Sequence, residues 1–250
     1  ATLRLSTIDA HSLAEDYNKA SLKNAIINAA ASDNATTEET TDSMEERYLL
    51  LDKLLKENTY DTVDRECSVK LHNTGRDTEE WEIVRSHSLE NDLVGGLMTY
   101  LSDNDLLSPE ETLTIYLTTL KTMDTKQLGN YLGIESLFNS SDADKNSIAT
   151  ALVEQFHFEI TSCDEESYTA SIQTEITTFD SNAILNAYQA EQETYLNSAD
   201  AVIDGSTKRY EKSLQLLLTN IKSNTATLKT SAVFHLINDG VSWKLQDSNT

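Results

Sequence analysis

Apolar residues recur at three- and four-residue steps over long stretches of this chain and alternate with polar ones in a few others, which predicts helices punctuated by hairpins. From Ser108 onward the pattern is complete. Ser108-Pro109-Glu110-Glu111 predicts a helix start, with Ser as cap, Pro at the first helical position and acids at the positive end of the dipole. Leu113, Tyr116, Leu117 and Leu120 continue that helix, Thr125–Leu132 predicts a second one ending near Gly133, and Ser147–Phe156 a third. Phe156, Phe158 and Ile160 then alternate with His157, Glu159 and Thr161, which reads as a strand with one wet face. Asp164-Glu165-Glu166-Ser167 is the expected turn and Tyr168–Thr178 its returning partner. Asp180 or Ser181 caps a long helix through Ile184, Leu185, Tyr188, Tyr195 and Leu196. Gly205-Ser206 interrupts it, and Lys208–Ile221 resumes it. Thr225–Ile237, the turn Asn238-Asp239-Gly240 and Val241–Gln246 predict a closing hairpin.

Residues 1–85 read as a permuted partial copy of residues 170–247. Thr7-Ile8-Asp9, Leu13 and Tyr17 match Thr178-Phe179-Asp180, Ile184 and Tyr188 at an offset of 180 − 9 = 171. Arg47-Tyr48, Leu54-Leu55, Asn58 and Trp81 fall on Arg209-Tyr210, Leu216-Leu217, Asn220 and Trp243 at 243 − 81 = 162. The difference of nine places extra residues in the first copy between Tyr17 and Tyr48, where the polar run Ser32–Ser43 sits. The turn Asn73-Thr74-Gly75 matches Asn238-Asp239-Gly240 at 240 − 75 = 165, a three-residue slip assigned to the longer loop Arg76–Glu80. Two domains are expected, 1–106 and 107–250. The second is complete, and the first lacks roughly 60 residues of initial helices and first strand, counted against the complete copy. Ser88–Leu101 reads as a connecting helix that caps the first sheet. A start at Ala1 without Met marks the chain as a processed or trimmed piece of something longer.

The order of elements, closing in Asn238-Asp239-Gly240 with Trp243 and in Thr74-Gly75 with Trp81, resembles the nuclear transport factor two-like, cystatin-like superfamily. More narrowly it is similar to repeated domains of Gram-positive surface lipoproteins, in which an acidic segment and a Gly-Gly helix follow the closing strand, as Glu90–Leu97 does here. The resemblance implies an α+β fold of tandem cystatin-like domains, each a curved antiparallel sheet packed on a long broken helix. It implies an extracytoplasmic parent, held at the cell surface or membrane through a segment outside these residues. Fold analogy selects no activity. Ketosteroid-isomerase-like relatives use a pocket carboxylate with neutral donors, for which Glu159 and Glu175, with Tyr188 or Tyr210, are the candidates. Strand carboxylates in so acidic a chain favour water, and tyrosines at helical spacing favour packing.

A net charge of −23, from 42 acidic and 19 basic residues, describes a solvated, self-repelling surface. It disfavours nucleic acid and anionic membranes, because the densest basic stretch is Lys208-Arg209 with Lys212. No apolar run approaches a membrane span or a signal peptide. Cys67 and Cys163 could pair in an oxidising compartment, but two cysteines make no disulfide framework, and lying in strand-like runs they read in preference as two free thiols. The five histidines, His11, His72, His87, His157 and His235, are scattered, which leaves no zinc spacing. The run from Asp142 to Asn146 alternates acids without the central Gly of a calcium loop. Gly95-Gly96 follows no strand and reads as close packing rather than a phosphate loop. Trp81 and Trp243 are expected in cores, each anchoring its hairpin. No catalytic, cofactor-binding or metal-ligating residue is assigned and no cofactor is expected. The reading is a non-catalytic binding or interaction module for a small ligand, a cell-wall component or a protein. An enzyme with a pocket carboxylate (isomerase, dehydratase or hydrolase) is the alternative, and a structural spacer the third.

Overall fold

The computed structural model describes residues 1–31, 44–75, 80–131 and 142–246. The runs Ser32–Ser43 and Arg76–Glu79, the helix end near Gly133 and the side chains of 142–146 lie outside the described residues. The protein is mixed α+β with open antiparallel sheets. Among the described residues no helix is long and apolar enough to cross a membrane.

The first copy contains strand β1 (Thr2–Ile8), helix α1 (Ala10–Ala31), α2 (Met44–Glu57), β2 (Thr62–Ser68), β3 (Leu71–Asn73) and β4 (Trp81–Ile83). Two short helices follow, α3 (His87–Leu93) and α4 (Leu97–Leu101), then α5 (Pro109–Thr122), α6 (Thr125–Tyr131) and α7 (Asp142–Glu154). The second copy continues with β5 (His157–Glu166), β6 (Thr169–Phe179), α8 (Ser181–Leu196), α9 (Ala199–Ile203), α10 (Ser206–Ser223), β7 (Thr227–Asn238) and β8 (Trp243–Leu245). Strands β5-β6-β7-β8 form one sheet in that order, while β1-β2 and β3-β4 form two-stranded sheets.

The two segments matched in the sequence share several backbone features. Asp9 N–H donates to the Asp61 carbonyl (2.7 Å) and Asp180 N–H to that of Ala226 (2.9 Å), and the two side chains cap α1 and α8 respectively. Ile8 pairs with Thr62 as Phe179 pairs with Thr227, so the offset is already 227 − 62 = 165 where the returning strand begins. The three-residue slip therefore opens before β2, because α10 runs on to Ser223 beyond the point matching the end of α2. It closes again in the longer loop after Gly75.

Several expectations are corrected. The first hairpin of the second copy turns at Ser167-Tyr168, later than Asp164, because β5 continues to Glu166. A bulge between Ile160 and Ser162 shifts its alternation, which puts Cys163 on the core face with Phe158 and Ile160. The stretch 88–101 is two helices, not one, because Gly95 and Gly96 take φ of +69° and +83°. Leu89 of α3 does cover the first sheet at Cys67 and Val69. The helix seated on the four-stranded sheet is α5, rather than the broken helix α8–α10. Leu113 and Leu117 pack on Ala170, Ile172, Leu236 and Trp243. The apolar stripe of α10 is used elsewhere: Leu218 packs with Ile26 of α1, Leu128 of α6 and Ile148 of α7.

Candidate functional site

The first hairpin holds the most distinctive surface. Register places Leu71 opposite Ile83 and Asn73 opposite Trp81, so these four side chains share one face and His72 and Glu82 take the other. The second hairpin repeats the arrangement with Leu236 opposite Leu245 and Asn238 opposite Trp243. Matching backbone bonds close both, from Val84 N–H to the Lys70 carbonyl and from Gln246 N–H to the His235 carbonyl, each 2.9 Å. Matching side-chain bonds shape the turns, with Gly75 N–H donating to Asn73 Oδ1 and Gly240 N–H to Asn238 Oδ1, each 3.0 Å.

The surroundings differ. Leu236 and Trp243 are buried, at 1% and 2% exposure, under Leu113 and Leu117 of α5. Asn238 Nδ2 donates to the Asn104 carbonyl (3.2 Å) and to Asp105 Oδ1 (2.9 Å) in the chain that leads into α5. In the first copy Leu71 is 43%, Trp81 58% and Ile83 58% exposed, Asn73 is exposed, and its amide nitrogen has no partner among the described residues. Trp243 is a core anchor as its hairpin predicts; Trp81 is not, because among the described residues no helix seats over it.

Two open grooves lie between helices. One of about 480 Å³ runs between α1, α2 and α5, lined by Asp16, Lys19, Lys23, Asn58, Thr118 and Ile115 among others. At its rim Tyr60 Oη donates to Asp16 Oδ2 (3.0 Å), and Asn58 Nδ2 lies 3.4 Å from the same oxygen. Burial, reinforced by Asp16, pushes the Tyr60 hydroxyl above its ordinary pKa. The second groove, about 510 Å³, is bordered by Lys19, Glu110, Glu111 and Ile160, with Lys19 held 3.3 Å from Glu111. Glu111 sits below its usual value. Burial opposes that shift, and it is outweighed by the hydrogen bonds from Ser108 together with the bond and charge of Lys19.

The residues singled out in the sequence do not converge on either groove. Glu159 and Glu175 are directly opposed across β5 and β6, on the face away from Phe158 and Ile160, and Lys229 reaches Glu175 at 3.4 Å. That face is the water-facing side of the sheet. Tyr188 is half-buried and Tyr210 is 59% exposed. Cys67 and Cys163 are free thiols, Cys67 buried and Cys163 half-buried. Burial, followed by the charges of Glu110, Glu165 and Asp164, raises the Cys163 thiol and disfavours its reactive thiolate. Among the described residues no cluster of three or more His, Cys, Asp or Glu could hold a metal. Gly95 and Gly96 do mark close packing: a Cβ on Gly95 would lie 2.8 Å from Thr7 Oγ1, and one on Gly96 2.8 Å from an Arg65 guanidinium nitrogen. The exposed face at Trp81 was missed because its sequence signal is that of a buried hairpin; the one cue was the missing first-copy counterpart of α5.

No protein-family model matches the sequence, and no curated protein matches it. A solved structure with which it shares some similarity is a candidate lipoprotein, YcdA of Bacillus subtilis, at 11% identity and a TM-score of 0.36, with 77% of this chain and 70% of that one covered. An overlap this loose fixes neither fold nor function.

Proposed function

We propose that this protein is a non-catalytic interaction module, built as two related cystatin-like domains (1–106 and 107–250) of an extracytoplasmic, lipoprotein-type parent. The apolar face made by Leu71, Trp81 and Ile83 is its recognition surface. One observation carries the reading: three large apolar side chains are aligned in register on a bonded hairpin and stand 43–58% exposed, where two of their counterparts, Leu236 and Trp243, are buried and the third, Leu245, is half-buried. Aligned exposed apolar side chains are a property of surfaces that meet a partner. The domain division is supported by the paired Asp9 and Asp180 caps and the paired Asn-to-Gly turns. The parent and its compartment rest on the resemblance of Glu90–Leu97 and the closing hairpins to lipoprotein repeats. No specific observation favours the enzyme reading, since Glu159 and Glu175 sit beside each other on a wet sheet face.

The test is titration of the full chain with an environment-sensitive apolar dye such as bis-ANS, against the double variant Trp81→Asp, Ile83→Asp. Saturable binding that drops severalfold in the variant, with unchanged far-ultraviolet circular dichroism, is expected. Equal dye binding by both proteins sinks the reading.

A further inference from the structure

Half of helix α2 is apolar, from Met44 to Leu55, yet none of its side chains is buried. Its inner side chains Leu50, Leu51 and Leu54 are only half-buried. An amphipathic helix draws most of its stability from packing its apolar face, so this helix lacks something to pack on. Beneath it lies the groove of about 480 Å³, with Leu54 of α2, Ala20 of α1 and Ile115 of α5 in its wall. That volume falls within the range of about 300–1,000 Å³ that small-ligand sites occupy.

The polar groups around this apolar wall have one sign left to offer. Lys19 and Lys23 stand one turn apart on α1, and Thr114, Thr118 and Thr122 one turn apart on α5. Asp16, also in the lining, is already engaged by Tyr60 Oη at 3.0 Å, with Asn58 Nδ2 at 3.4 Å. Lys19 is shared between Glu15 (3.7 Å) and Glu111 (3.3 Å). Lys23 has no carboxylate partner among the described residues, and the exposed hydroxyls of Thr114 and Thr118 have no protein partner there. What remains open is a cation and two hydroxyls, the complement of an anionic oxygen headgroup. The net charge of −23 opposes an anion only weakly here, because charges farther than about 8 Å are largely screened at physiological ionic strength.

We propose that the groove between α1, α2 and α5 binds a single-chain aliphatic carboxylate. Its chain fills the space against Leu54, Ala20 and Ile115 and completes the packing of α2, and its carboxylate is held by Lys23 and the threonine hydroxyls. This site is separate from the Trp81 face and adds a small-molecule ligand to a module whose other surface meets a partner.

The probes are octanoate and, as the uncharged molecule of matched chain length, 1-octanol. Each is titrated into the ¹⁵N-labelled full chain at physiological ionic strength and followed by amide shifts. Octanoate should give saturable shifts in α2 and in the facing parts of α1 and α5. Lys23→Met should weaken octanoate by about three- to tenfold and leave 1-octanol unchanged. Thr118→Trp fills the groove from an exposed position on α5, and Leu54→Asp puts a charge in its wall on a helix with no buried residue. Either variant should abolish the shifts with the rest of the amide spectrum unchanged.

Absence of saturable shifts with octanoate overturns the inference, as do shifts that survive both Thr118→Trp and Leu54→Asp. Equal loss of octanoate and 1-octanol in Lys23→Met, or loss of neither, removes the carboxylate from the reading and overturns it as stated. Shifts confined to Leu71–Ile83 would give the apolar ligand to the Trp81 face, which overturns this site and leaves the interaction-module reading standing. That reading fails separately, by equal dye binding in the Trp81→Asp, Ile83→Asp variant.

Discussion

Two hairpins of this protein share an Asn-to-Gly turn bond and a Trp paired with an Asn and differ almost completely in the burial of that Trp. Trp243 is 2% exposed and Trp81 58%, although each faces an Asn across the ladder and each closes over an Asn-to-Gly bond of 3.0 Å. The same contrast holds for the helices feeding them. Helix α2 has no buried residue, whereas α10 buries Leu218 and Asn220. Asn58 and Asn220 occupy matching positions in the sequence and each reaches an acid on an earlier helix, Asp16 of α1 at 3.4 Å and Glu191 of α8 at 2.9 Å. Local hydrogen bonding builds the element in both copies; whether it enters a core depends on a covering helix from outside the element. Among the described residues only the hairpin at Trp243 has that cover, supplied by Leu113 and Leu117 of α5.

If cover is the whole difference, equivalent substitutions should have unequal costs. Trp243→Ala should destabilise the protein by about 3–5 kcal/mol and Trp81→Ala by no more than about 0.5 kcal/mol, measured by urea unfolding. Equal costs would break the comparison. Leu113→Ala, under the second sheet, should cost about 2–5 kcal/mol. It should also speed amide exchange in β6 and β7 while sparing β1 and β2, and a uniform change across both sheets would show that the copies unfold as one unit.

Gly95→Ala sharpens the contrast from the first copy's side. Gly95 combines a φ of +69° with approaches of 2.8 Å to Thr7 Oγ1 and 3.2 Å to the Ile8 carbonyl. An added methyl should cost about 1–3 kcal/mol and expose Cys67 to thiol reagents, since α3 and α4 hold that end of the sheet. Unchanged stability and thiol reactivity would show that this junction is not what closes the first sheet.

The smallest effect is electrostatic. Asp239 in the second turn is held at a pKa of about 2, against 3.8, chiefly by Lys244 at 2.6 Å and then by the Ser242 and Val241 N–H groups. Its folded pKa is depressed, so the stabilisation is complete above about pH 4 and is lost as pH falls from there to 2. Both partners are partly exposed, and screening limits the pair to about 1 kcal/mol or less. Lys244→Met should therefore lower stability slightly at pH 7 and converge on the parent protein as pH falls through and below about 2. The first turn has Thr74 and Glu82 at these positions and should show no such limb. A difference that does not shrink as pH falls through about 2 would assign the effect to packing of the Lys244 stem.

Much of this architecture was legible in the chain because its signals are local. The Ser108–Glu111 start is a complete capping box, with Ser108 and Glu111 bonding reciprocally and Pro109 at the first position. Asn238-Asp239-Gly240 turns with Gly240 at φ +88°, a conformation its neighbours would resist. The bulge at Thr161 was not legible, since the extra residue sits in a run that alternates normally up to that point and is revealed only by its pairing with β6. Nor could alternation distinguish Glu159 and Glu175 on a wet sheet face from carboxylates lining a cavity, because both arrangements place them opposite the same apolar neighbours.

Helix caps and the Asn-to-Gly turns are properties of neighbours along the chain, where a side chain reaches its own backbone a few residues away, and the sequence by itself determined them. Which face each sheet buries, which helix seats on it, and that Trp81 remains in water while Trp243 does not are properties of long-range packing. Apolar stripes are non-directional and fit several partners. Only the tertiary structure decided between α5 and the broken helix for the four-stranded sheet, and among the described residues it placed no helix over Trp81.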